Sequence, residues 1–403
     1  MKNRRAWVEI DLDVLRGNIR EIRRHLSRAG AEGRVALPNH ETRILVPVKA
    51  DGYGHGSLVV SRVLAEEGVN FLGVASAMEG EELRSGGITL PILILSPSSV
   101  REIPIILRED LIPTVSDLDF AFRLSREAKR LEKKVKVHVE VETGMGRTGV
   151  DSLKTPQFIH SLLELRNIEI EGLFTQFSSA DEELKTYTLN QLSRFQEVVR
   201  SLEREGIKIP YLHTANSAAL LDLPETYFNL VRPGLLVYGL SPSLHSNNIL
   251  PVKPVLSFKT KICQIKEVPK GKSISYGRTF TTERDSLIAV LSVGYGDGYL
   301  RSLSNCGEVL IRGERAKVVG CVCMDLTMVD VTEIREVRCG DIAILIGRDR
   351  KDEITATQVA RWAGTISYEI LTSVGLHGSK SLIEKKVPLQ IEKRVFSRLV
   401  KAS

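Results

Sequence analysis

Eight short apolar runs, rich in β-branched residues, alternate with longer stretches of helical spacing up to about residue 240. Stretches such as SLVVSRVLAEEG (57–68) and AFRLSREAKRLEK (121–133) repeat apolar residues every three or four positions, which is typical of amphipathic helices. Eight strands separated by helices predict an α/β fold, a (β/α)8 barrel of the TIM type. A doubly wound sheet stays open as an alternative, because some of the runs are very short. The eight runs cover residues 43–49, 70–75, 90–95, 112–115, 135–141, 170–176, 211–214 and 229–232.

The pattern changes after about residue 250, where apolar runs follow one another closely and are joined by turns rich in glycine and charge. Only residues 355–375 have helical spacing in this part, so a second, mainly β domain is predicted. We place the barrel domain at 1–248 and the β domain at 249–403, with a linker at 241–254 and with about the first ten residues packed on the β domain. The strand candidates of this domain are VLSFKTKICQIKEV, SLIAVLSVGY, EVLIRG, AKVVGCVCM, LTMVDVT and DIAILIG.

The charge of the chain argues against a nucleic-acid partner. The formal net charge is +6, but positive and negative residues are interleaved, as in IREIRRHLSRAGAEGR (19–34). Basic residues do not form a long uninterrupted block. Interleaved charge is typical of a solvated surface rather than of a face that binds a phosphate backbone. The mild positive excess favours anionic small molecules as ligands.

The cysteines and the N-terminus indicate a cytoplasmic protein. The chain has five cysteines, at positions 263, 306, 321, 323 and 339. Cys321 and Cys323 are separated by one residue and lack a second Cys or His pair, so we expect reduced thiols and no metal site. The N-terminal MKNRRAWVEID reaches an acidic residue before any apolar core of a signal peptide, and no apolar run is long enough to span a membrane.

Polar residues stand at the carboxyl ends of the predicted barrel strands. VPVKADGYGHG (46–56) places Lys49 at the end of the first strand, directly before a glycine-rich loop. Active sites of such barrels form where the carboxyl ends meet, so we expect Lys49 to share one site with the residues that end the other strands. Those residues are Glu140 and Arg147 after the fifth strand, Gln176 after the sixth, His213, Asn216 and Ser217 after the seventh, and Arg232 after the eighth.

The loops after the seventh and eighth strands fit a phosphate group. HTANSAA (213–219) offers the hydroxyl of Ser217, and RPGLLVYG (232–239) offers Gly234, which lets backbone N–H groups approach an anion. A lysine on the same rim predicts a Schiff-base lysine with a phosphorylated aldehyde cofactor, pyridoxal 5'-phosphate. Plainer roles are also open, with Lys49 as a surface lysine and Ser217 as a helix N-cap. The joint position of these residues on one rim favours the cofactor site.

VPVKADGYGHG resembles the pyridoxal-phosphate signature of alanine racemases, and the resemblance extends over about residues 5–375. It implies a (β/α)8 barrel followed by a β domain, in agreement with the pattern of apolar runs. It also implies a cytosolic homodimer that interconverts L- and D-alanine for peptidoglycan. The other motifs that carry the resemblance are TGMGRTG (143–149), HTANSAA, RPGLLVYG, SYGRTF (275–280), GYGDGY (294–299), CMD (323–325) and ISYE (366–369).

The resemblance implies two catalytic bases. Lys49 would hold the cofactor as an internal aldimine and then act as the base on one face of the substrate α-carbon. Tyr276 would be the base on the opposite face, supplied by the partner subunit. Racemisation removes a proton from one face and returns one to the other, so it needs two bases on opposite sides of one plane.

The resemblance also implies which residues bind the cofactor and the substrate. Arg232 would face the pyridine nitrogen, where a group that almost never loses its proton disfavours a protonated ring. Arg147, beside the cofactor, and the backbone N–H of Met324 would receive the substrate carboxylate, and Tyr295 would line the channel that leads to the site. The remaining cofactor-binding residues are Tyr53, Asn216, Ser217, Gly234, Leu235 and Tyr368, most of them at the phosphate.

Some positions depart from the family pattern. Glu140 stands where the family has a lysine that is often modified by CO2, so it supplies an anion to Arg147 on a shorter arm. Leu326 stands where the family commonly has a glutamine after Met-Asp. The tail LHGSKSLIEKK (376–386) also differs from the usual ending. These departures affect the tuning of the site and leave both bases in place.

Gln176 is the departure that bears most on mechanism. Most members have a histidine at this position, under the cofactor ring. A histidine can relay positive charge from Arg232 towards Tyr276, whereas glutamine offers only fixed amide donors and an acceptor. We therefore expect Gln176 to weaken this relay, and we count it with Glu140 and His213 among the residues that tune the site.

Three other functions stay open. An amino-acid decarboxylase of related fold shares the barrel and the lysine, but it lacks the tyrosine in an SYGRTF context. A racemase for a larger amino acid would keep both bases and widen the channel. A degenerate homologue that binds the cofactor without catalysis is the non-enzyme alternative, and Gln176 is its best support. The presence of both bases favours an alanine racemase.

Overall fold

The computed structural model describes residues 5–33, 42–242, 249–377 and 379–383. Within these ranges the chain forms one parallel sheet, one mainly antiparallel sheet and a short two-stranded hairpin. Among the helices of these ranges, none combines the length and the apolar character that crossing a bilayer requires.

The parallel sheet is a (β/α)8 barrel, which confirms the prediction from the alternating pattern. Each strand lies beside the next one along the chain, and the eighth pairs with the first, where Leu230 is opposite Arg43. A parallel bridge between Asn216 and Arg232 joins the chain just beyond the seventh and eighth strands. The strands are Arg43–Pro47, Phe71–Val74, Ile92–Pro97, Ile112–Val115, Val135–Glu142, Ile168–Phe174, Tyr211–His213 and Leu230–Val231, and the short Val150–Asp151 pairs with the fifth.

Amphipathic helices cover the outside of the barrel. The first of them begins after Asp11, whose side chain accepts hydrogen bonds from the backbone N–H groups of Asp13 and Val14. The helices are Leu12–Ala31, Ser57–Glu66, Ala77–Ser85, Ile103–Arg108, Leu118–Arg130, Thr155–Leu163, Thr186–Arg204 and Ser217–Asp222, with 3-10 turns at Val100–Glu102 and Pro224–Thr226.

The interior of the barrel has its own apolar cluster. Because side chains alternate across a strand, one set faces the helices and the other fills the barrel. Ile44 and Val46 belong to the large core between sheet and helices. The interior cluster consists of Leu45, Phe71, Leu93, Ile112 and Leu230. A polar group in this packed interior needs a hydrogen-bond partner.

The second sheet contains both ends of the described chain. The strand Ala6–Asp11 pairs antiparallel with Leu256–Val268 and parallel with Ser379–Ile383. The other strands of this sheet are Ser286–Leu291, Glu308–Ile311, Glu314–Val318, Thr327–Asp330, Ile342–Asp349 and Asp352–Ile354, and a separate hairpin joins Ser273–Ile274 to Phe280–Thr281. Two helices, Ala356–Ala363 and Ser367–His377, follow the last antiparallel strands.

Some predicted elements differ from the structure at their ends. The first barrel strand ends at Pro47 rather than at 49, because the chain enters a left-handed turn directly after Lys49. The predicted strand AKVVGCVCM ends at Val318, since Gly320 has a φ of +78° and turns the chain. The predicted helix 355–375 is two helices that are separated at Gly364, which has a φ of +70°.

The C-terminal region holds a strand that the sequence pattern did not predict. Ser379–Ile383 lies beyond the predicted helix, and its sequence SKSLI begins with three polar residues, which hide the β pattern. It is placed by its parallel partner Ala6–Asp11. Part of the predicted linker, residues 243–248, and the tail from 384 onwards lie outside the described residues.

Candidate active site

A cavity of about 880 Å3 opens at the carboxyl ends of the barrel strands. The N-terminal part of helix Ser367–His377 completes its wall. A volume of this size suits a small-molecule cofactor and substrate. The structure brings most of the predicted cofactor residues into this wall, namely Lys49, Tyr53, Arg147, Asn216, Ser217, Arg232, Gly234 and Tyr368, together with the tuning residue Gln176.

Lys49 is presented to the cavity by a left-handed turn. The φ angles of Ala50, Asp51, Gly52 and Tyr53 are +51°, +53°, +63° and +53°. Left-handed backbone costs about 1–2 kcal/mol per residue when the residue is not glycine, so the surrounding structure must stabilise this turn. The sequence showed the glycines but not the left-handed path of the residues between them.

Contacts with Glu79, with the backbone of Ser57 and with Lys380 support this turn. Glu79 accepts a hydrogen bond from the N–H of Ala50 at 2.9 Å and another from the N–H of Ala75 at 2.7 Å. Asp51 accepts from the N–H of Ser57 at 2.8 Å and pairs with Lys380 of the C-terminal strand. Glu79 was not predicted as a site residue; its only signal in the sequence is a carboxylate at the start of a helix after the second barrel strand.

The environment of Lys49 favours its neutral form. Burial lowers the pKa of Lys49, the charges of Arg147 and Arg232 lower it further, and Glu79 opposes them. A lysine with a lowered pKa has more unprotonated amine at a given pH, and only this form is a nucleophile or a base. Lys49 is therefore not a free surface lysine.

Gly234, Ser217 and Tyr53 form a cradle of hydrogen-bonding groups. The N–H of Gly234 donates to Ser217 Oγ at 2.8 Å. A Cβ atom on Gly234 would lie 3.1 Å from the hydroxyl of Tyr53 and 3.9 Å from Ser217 Oγ. Asn216, not Ser217, caps the helix Ser217–Asp222, with its side chain accepting from the N–H groups of Ala218 and Ala219. The hydroxyl of Ser217 therefore faces the cradle rather than the helix end.

Two tyrosines add protonated hydroxyls to this cradle. Tyr53 packs against Tyr238 at a ring distance of 5.0 Å and against Tyr368 at 5.8 Å. Burial raises the pKa of Tyr53 and raises that of Tyr368 to about 12, so both remain hydrogen-bond donors at neutral pH. Donors of this kind around a glycine backbone suit a phosphate group.

Arg232 is buried and held on several sides. Its guanidinium donates to His213 Nδ1 at 2.9 Å and to the carbonyl oxygens of Thr175 and His213, both at 2.7 Å. It also donates to Gln176 Oε1 at 3.1 Å. Burial lowers the pKa of Arg232 to about 10, although the charge of Glu140 acts to raise it. Arg232 is therefore a fixed cation that can donate hydrogen bonds but cannot accept a proton at neutral pH.

Glu140 and Arg147 form a long salt bridge that lacks a hydrogen bond. Glu140 Oε1 lies 3.8 Å from Arg147 Nη2, beyond hydrogen-bond distance. Its other oxygen accepts from the hydroxyl of Thr148 at 2.7 Å. Burial raises the pKa of Glu140, although Thr148 and Arg147 oppose this shift. The prediction that Glu140 supplies an anion on a short arm stays a prediction.

The glycine-rich loop 143–149 is organised by a residue that we did not predict. Glu142 accepts backbone N–H groups from Gly144, Met145 and Gly146, at 2.7 Å from Met145 and 2.8 Å from Gly146. This shapes the loop that carries Arg147 into the cavity wall. Its signal in the sequence is a carboxylate directly before TGMGRTG.

The structure does not bring Tyr276, Tyr295 and Met324 into the cavity wall. They lie together on the second domain, where the N–H of Tyr295 donates to the carbonyl of Cys323 and the hydroxyl of Ser275 donates to the carbonyl of Cys321. We call these three residues the exposed cluster. Tyr276 is 71% exposed and Met324 is 56% exposed. The remaining predicted residues, Glu140, His213 and Leu235, are buried beside the cavity rather than in its wall.

Two family models match the chain in sequence. The N-terminal domain of alanine racemase matches residues 10–242, and the C-terminal domain of alanine racemase matches residues 255–380. The alanine racemase of Halothermothrix orenii is 44% identical over 371 residues, which cover 92% of this chain and 95% of that protein. The alanine racemase of Methanococcus maripaludis is 42% identical over 371 residues, covering 91% and 96%.

Solved alanine racemases have the same fold. The structure from Clostridium difficile 630 has a TM-score of 0.89 and 36% identity, covering 96% of this chain and 98% of that one. The Bacillus anthracis enzyme with bound L-Ala-P has a TM-score of 0.86 and 36% identity, covering 95% and 96%. The Bartonella henselae enzyme with covalently bound pyridoxal phosphate has a TM-score of 0.82 and 25% identity, covering 94% and 100%. This chain therefore belongs to the alanine racemase family.

Proposed function

We propose that this chain interconverts L-alanine and D-alanine with pyridoxal 5'-phosphate by a two-base mechanism. The observation that carries the proposal is the placement of Lys49, with its lowered pKa, in one cavity with an anion cradle and a buried arginine. The family membership of the chain supports it, as do the L-Ala-P and the covalent pyridoxal phosphate of the two solved relatives.

The residues present fit the cofactor. The cradle of Gly234, Ser217 and Tyr53 leaves space that a single added carbon would fill, and the hydroxyls of Ser217 and Tyr53 can donate hydrogen bonds to a phosphate. When bound, the cofactor supplies an electron sink for the negative charge that develops at the substrate α-carbon. Lys49 would hold it covalently, and Tyr368 would close the phosphate end.

Three side chains would have separate roles in proton transfer and substrate binding. The amine of Lys49 takes a proton from, or returns one to, one face of the α-carbon. Arg232 donates hydrogen bonds and delivers no proton, because its positive charge persists at neutral pH. Arg147 lies in the cavity wall, where a guanidinium can bind the substrate carboxylate through two parallel hydrogen bonds.

The second base calls for a second copy of the chain. Tyr276 is 71% exposed and does not line the cavity that holds Lys49. A two-base racemase needs its second base on the opposite face of the same carbon. We therefore propose a homodimer in which the exposed cluster of each subunit completes the cavity of the other. Tyr276 would act there as the base, Met324 would offer its N–H to the carboxylate and Tyr295 would line the channel.

A panel of D- and L-amino acids tests the proposed function. The purified holoenzyme is incubated with each enantiomer, and the products are separated by chiral chromatography. We expect both enantiomers of alanine to racemise faster than any larger amino acid. Faster turnover of a larger side chain would favour the racemase of wider channel, release of CO2 would favour a decarboxylase, and no turnover at all would favour a protein that only binds the cofactor.

We also propose that the product supplies D-alanine for peptidoglycan and that the enzyme works in the cytoplasm. The test is growth of a bacterial strain that requires D-alanine, with this chain expressed without any export signal. Growth without added D-alanine is expected for the intact chain and not for the Lys49→Ala variant. Failure of the intact chain, despite racemase activity in the cell extract, would contradict the cellular role alone.

Replacing Gly234 with alanine should weaken cofactor binding about tenfold, which corresponds to about 1.4 kcal/mol. The added carbon would lie 3.1 Å from the hydroxyl of Tyr53 and would occupy the cradle. The dissociation constant of the cofactor is measured by absorbance titration. Gly17→Ala is the matched control, because a carbon added there would have no atom of the described residues within 4 Å apart from its own helix. Equal affinity in both variants would place the phosphate elsewhere.

Replacing Gln176 with histidine should move the pH optimum of racemisation downwards. Gln176 accepts from Arg232 and donates to the carbonyl of Phe177 at 3.4 Å, so its amide is fixed between them. A histidine that accepts from Arg232 with one ring nitrogen would carry an N–H on the other, which can stabilise the phenolate of Tyr276. A shift of one pH unit would correspond to about 1.4 kcal/mol.

The measurement is kcat/KM against pH for racemisation of L-alanine and of D-alanine. We expect the limb of the pH profile that belongs to Tyr276 to move to lower pH by more than the limb that belongs to Lys49. Gln157→His, which adds an imidazole at an exposed helix position, is the control. Profiles of Gln176→His and the parent chain that superimpose would make Gln176 a neutral packing residue.

A further inference from the structure

We infer that His213, His138 and Glu171 form a hydrogen-bond relay through the interior of the barrel, and that this relay positions Arg232 at the site. None of the three lines the cavity, so they act through Arg232 and are positioning residues. The consequence for racemisation rests on the proposed function. The relay itself is a property of the folded chain and can be tested without any reaction.

The contacts run in one line from the site towards the other end of the barrel. Arg232 Nη1 lies 2.9 Å from His213 Nδ1, and His213 Nε2 lies 2.9 Å from His138 Nδ1. His138 Nε2 faces Glu171 Oε2 at 3.5 Å. The other oxygen of Glu171 accepts from Lys136 Nζ at 2.6 Å, and the side chain of Lys136 is 53% exposed. The line therefore joins a buried guanidinium to the edge of solvent.

The donor and acceptor roles along this line are fixed by chemistry. A guanidinium has no acceptor, so His213 Nδ1 must accept and its ring proton must be on Nε2. That proton is donated to His138 Nδ1, which places the ring proton of His138 on Nε2. Among the described residues His138 Nε2 and Glu171 Oε2 make no hydrogen bond, and they lie 3.5 Å apart, so a small shift of either side chain would bring this proton to the carboxylate. One arrangement of protons is consistent with every contact along the line.

The charges agree with this arrangement. Burial lowers the pKa of His138 and lowers that of His213 well below the usual value, which keeps both rings neutral. Burial opposes ionisation of Glu171, but the nearby side chains of His138 and Lys136 lower its pKa overall. A neutral pair of rings therefore lies between a cation at one end and a carboxylate at the other.

Aromatic side chains enclose the two rings. Phe174 stacks on His213 at 4.8 Å, and Phe71 and Tyr211 lie against His138 at 6.2 and 6.4 Å. Both histidines are 0% exposed. In this apolar interior an unpaired ring nitrogen is costly, which favours the approach of His138 Nε2 to Glu171.

The backbone is shaped around the ring of His138. The pairing between the fifth and sixth strands shifts register after Val137–Ile170, so that Gly172 rather than Glu171 is opposite His138. Such a bulge re-aims a side chain, here the carboxylate of Glu171. A Cβ on Gly172 would lie 2.3 Å from His138 Nδ1, so the ring fits only beside a glycine. A bulge and a glycine at one position indicate a site that is built for this histidine.

The relay makes His213 a stronger acceptor for Arg232. The carboxylate of Glu171 polarises the N–H of His138, which increases the electron density at His138 Nδ1 and in turn at His213 Nδ1. One nitrogen of the guanidinium is thereby fixed, while Gln176 and the carbonyl of Thr175 hold another. Arg232 then keeps a single orientation towards the cavity.

Nitrogen NMR of the histidine-labelled chain tests the relay directly. We expect His213 and His138 to carry their protons on Nε2 and to stay neutral across the pH range in which a free histidine titrates. The His138→Gln variant assigns the two rings. A proton on Nδ1 of either ring, or a charged ring near neutral pH, would overturn the inference. This readout stands even if the chain has no racemase activity.

Substitutions test whether the relay positions Arg232. Glutamine at position 138 can accept from His213 and donate to Glu171, whereas leucine can do neither. We expect His138→Leu to lower kcat for alanine roughly tenfold with KM nearly unchanged, and His138→Gln to retain most of the rate. Similar rates in both variants would mean that the ring is only packing.

Glu171→Gln keeps an acceptor but removes the charge, and it covers the case in which His138→Leu does not fold. We expect roughly a threefold loss of kcat and an unchanged Nε2 proton on His213. Glu169→Gln, an exposed carboxylate on the same strand, is the matched control. Equal rates for Glu171→Gln and this control would exclude a role for the remote charge.

Discussion

Replacing Lys49 with alanine should lower the rate of racemisation in both directions by at least about 10³-fold. A positioned base typically contributes 10²–10⁴-fold, and Lys49 would also lose its covalent hold on the cofactor. The left-handed turn that presents Lys49 is held by Glu79 and Asp51, whose contacts use backbone N–H groups and survive the substitution. The loss should therefore arise at the amine and not from a collapsed site.

Two measurements test whether the loss of rate arises from the missing amine of Lys49. Borohydride reduction of the parent holoenzyme, followed by peptide mass spectrometry, should find the cofactor on the peptide that contains Lys49, and the variant should show no such adduct. Lys208→Ala, at an exposed position of the barrel, should retain the full rate. A Lys49→Ala variant that racemises at a rate comparable to the parent would refute the assignment of this residue.

Replacing Tyr276 with phenylalanine should leave a folded chain that binds the cofactor but hardly racemises. The phenol is 71% exposed in the single chain, so the substitution removes no core contact. Mixing this variant with Lys49→Ala should restore activity after subunit exchange. Each heterodimer would contain one site with both bases intact, about half of its sites.

The double variant, Lys49→Ala with Tyr276→Phe, makes the test sharper. Mixed with the parent chain, it would give heterodimers in which each site lacks one base, so activity should fall below that of the parent diluted with buffer. If both bases came from one chain, the parent half of every heterodimer would stay active and no such loss would be seen. Subunit exchange is verified by native mass spectrometry in each mixture.

The alternation of short apolar runs with helical stretches was sufficient to predict the barrel. Side-chain alternation and helical spacing are local properties, and eight of each leave few closed arrangements. The same reasoning placed Lys49, Arg147 and Arg232 on one rim, and all three line the cavity. The fold and the cavity residues that end the barrel strands could therefore be predicted from sequence patterns.

The parts that could not be predicted depend on distant contacts. The left-handed path of Ala50 and Asp51 is unfavourable on its own and exists because Glu79 and Lys380 of the C-terminal strand support it. The strand Ser379–Ile383 has little β pattern and is placed by a partner at the other end of the chain. In the sequence His138 is indistinguishable from the other residues of a buried strand. Its role becomes visible only when Gly172 and the bulge are found beside it in the structure.

The position of the first strand has a consequence for biosynthesis. Ala6 pairs with Thr260 in the second sheet. A ribosome adds about 5–20 residues per second, so the roughly 250 residues between them take between about 12 and 50 s to make. During this time Val8 and Ile10, which are 0% exposed in the finished protein, have no strand to pair with. The barrel can therefore be complete while this strand still exposes apolar side chains that a chaperone can bind, and a strand made before the barrel is among the last to reach its final place.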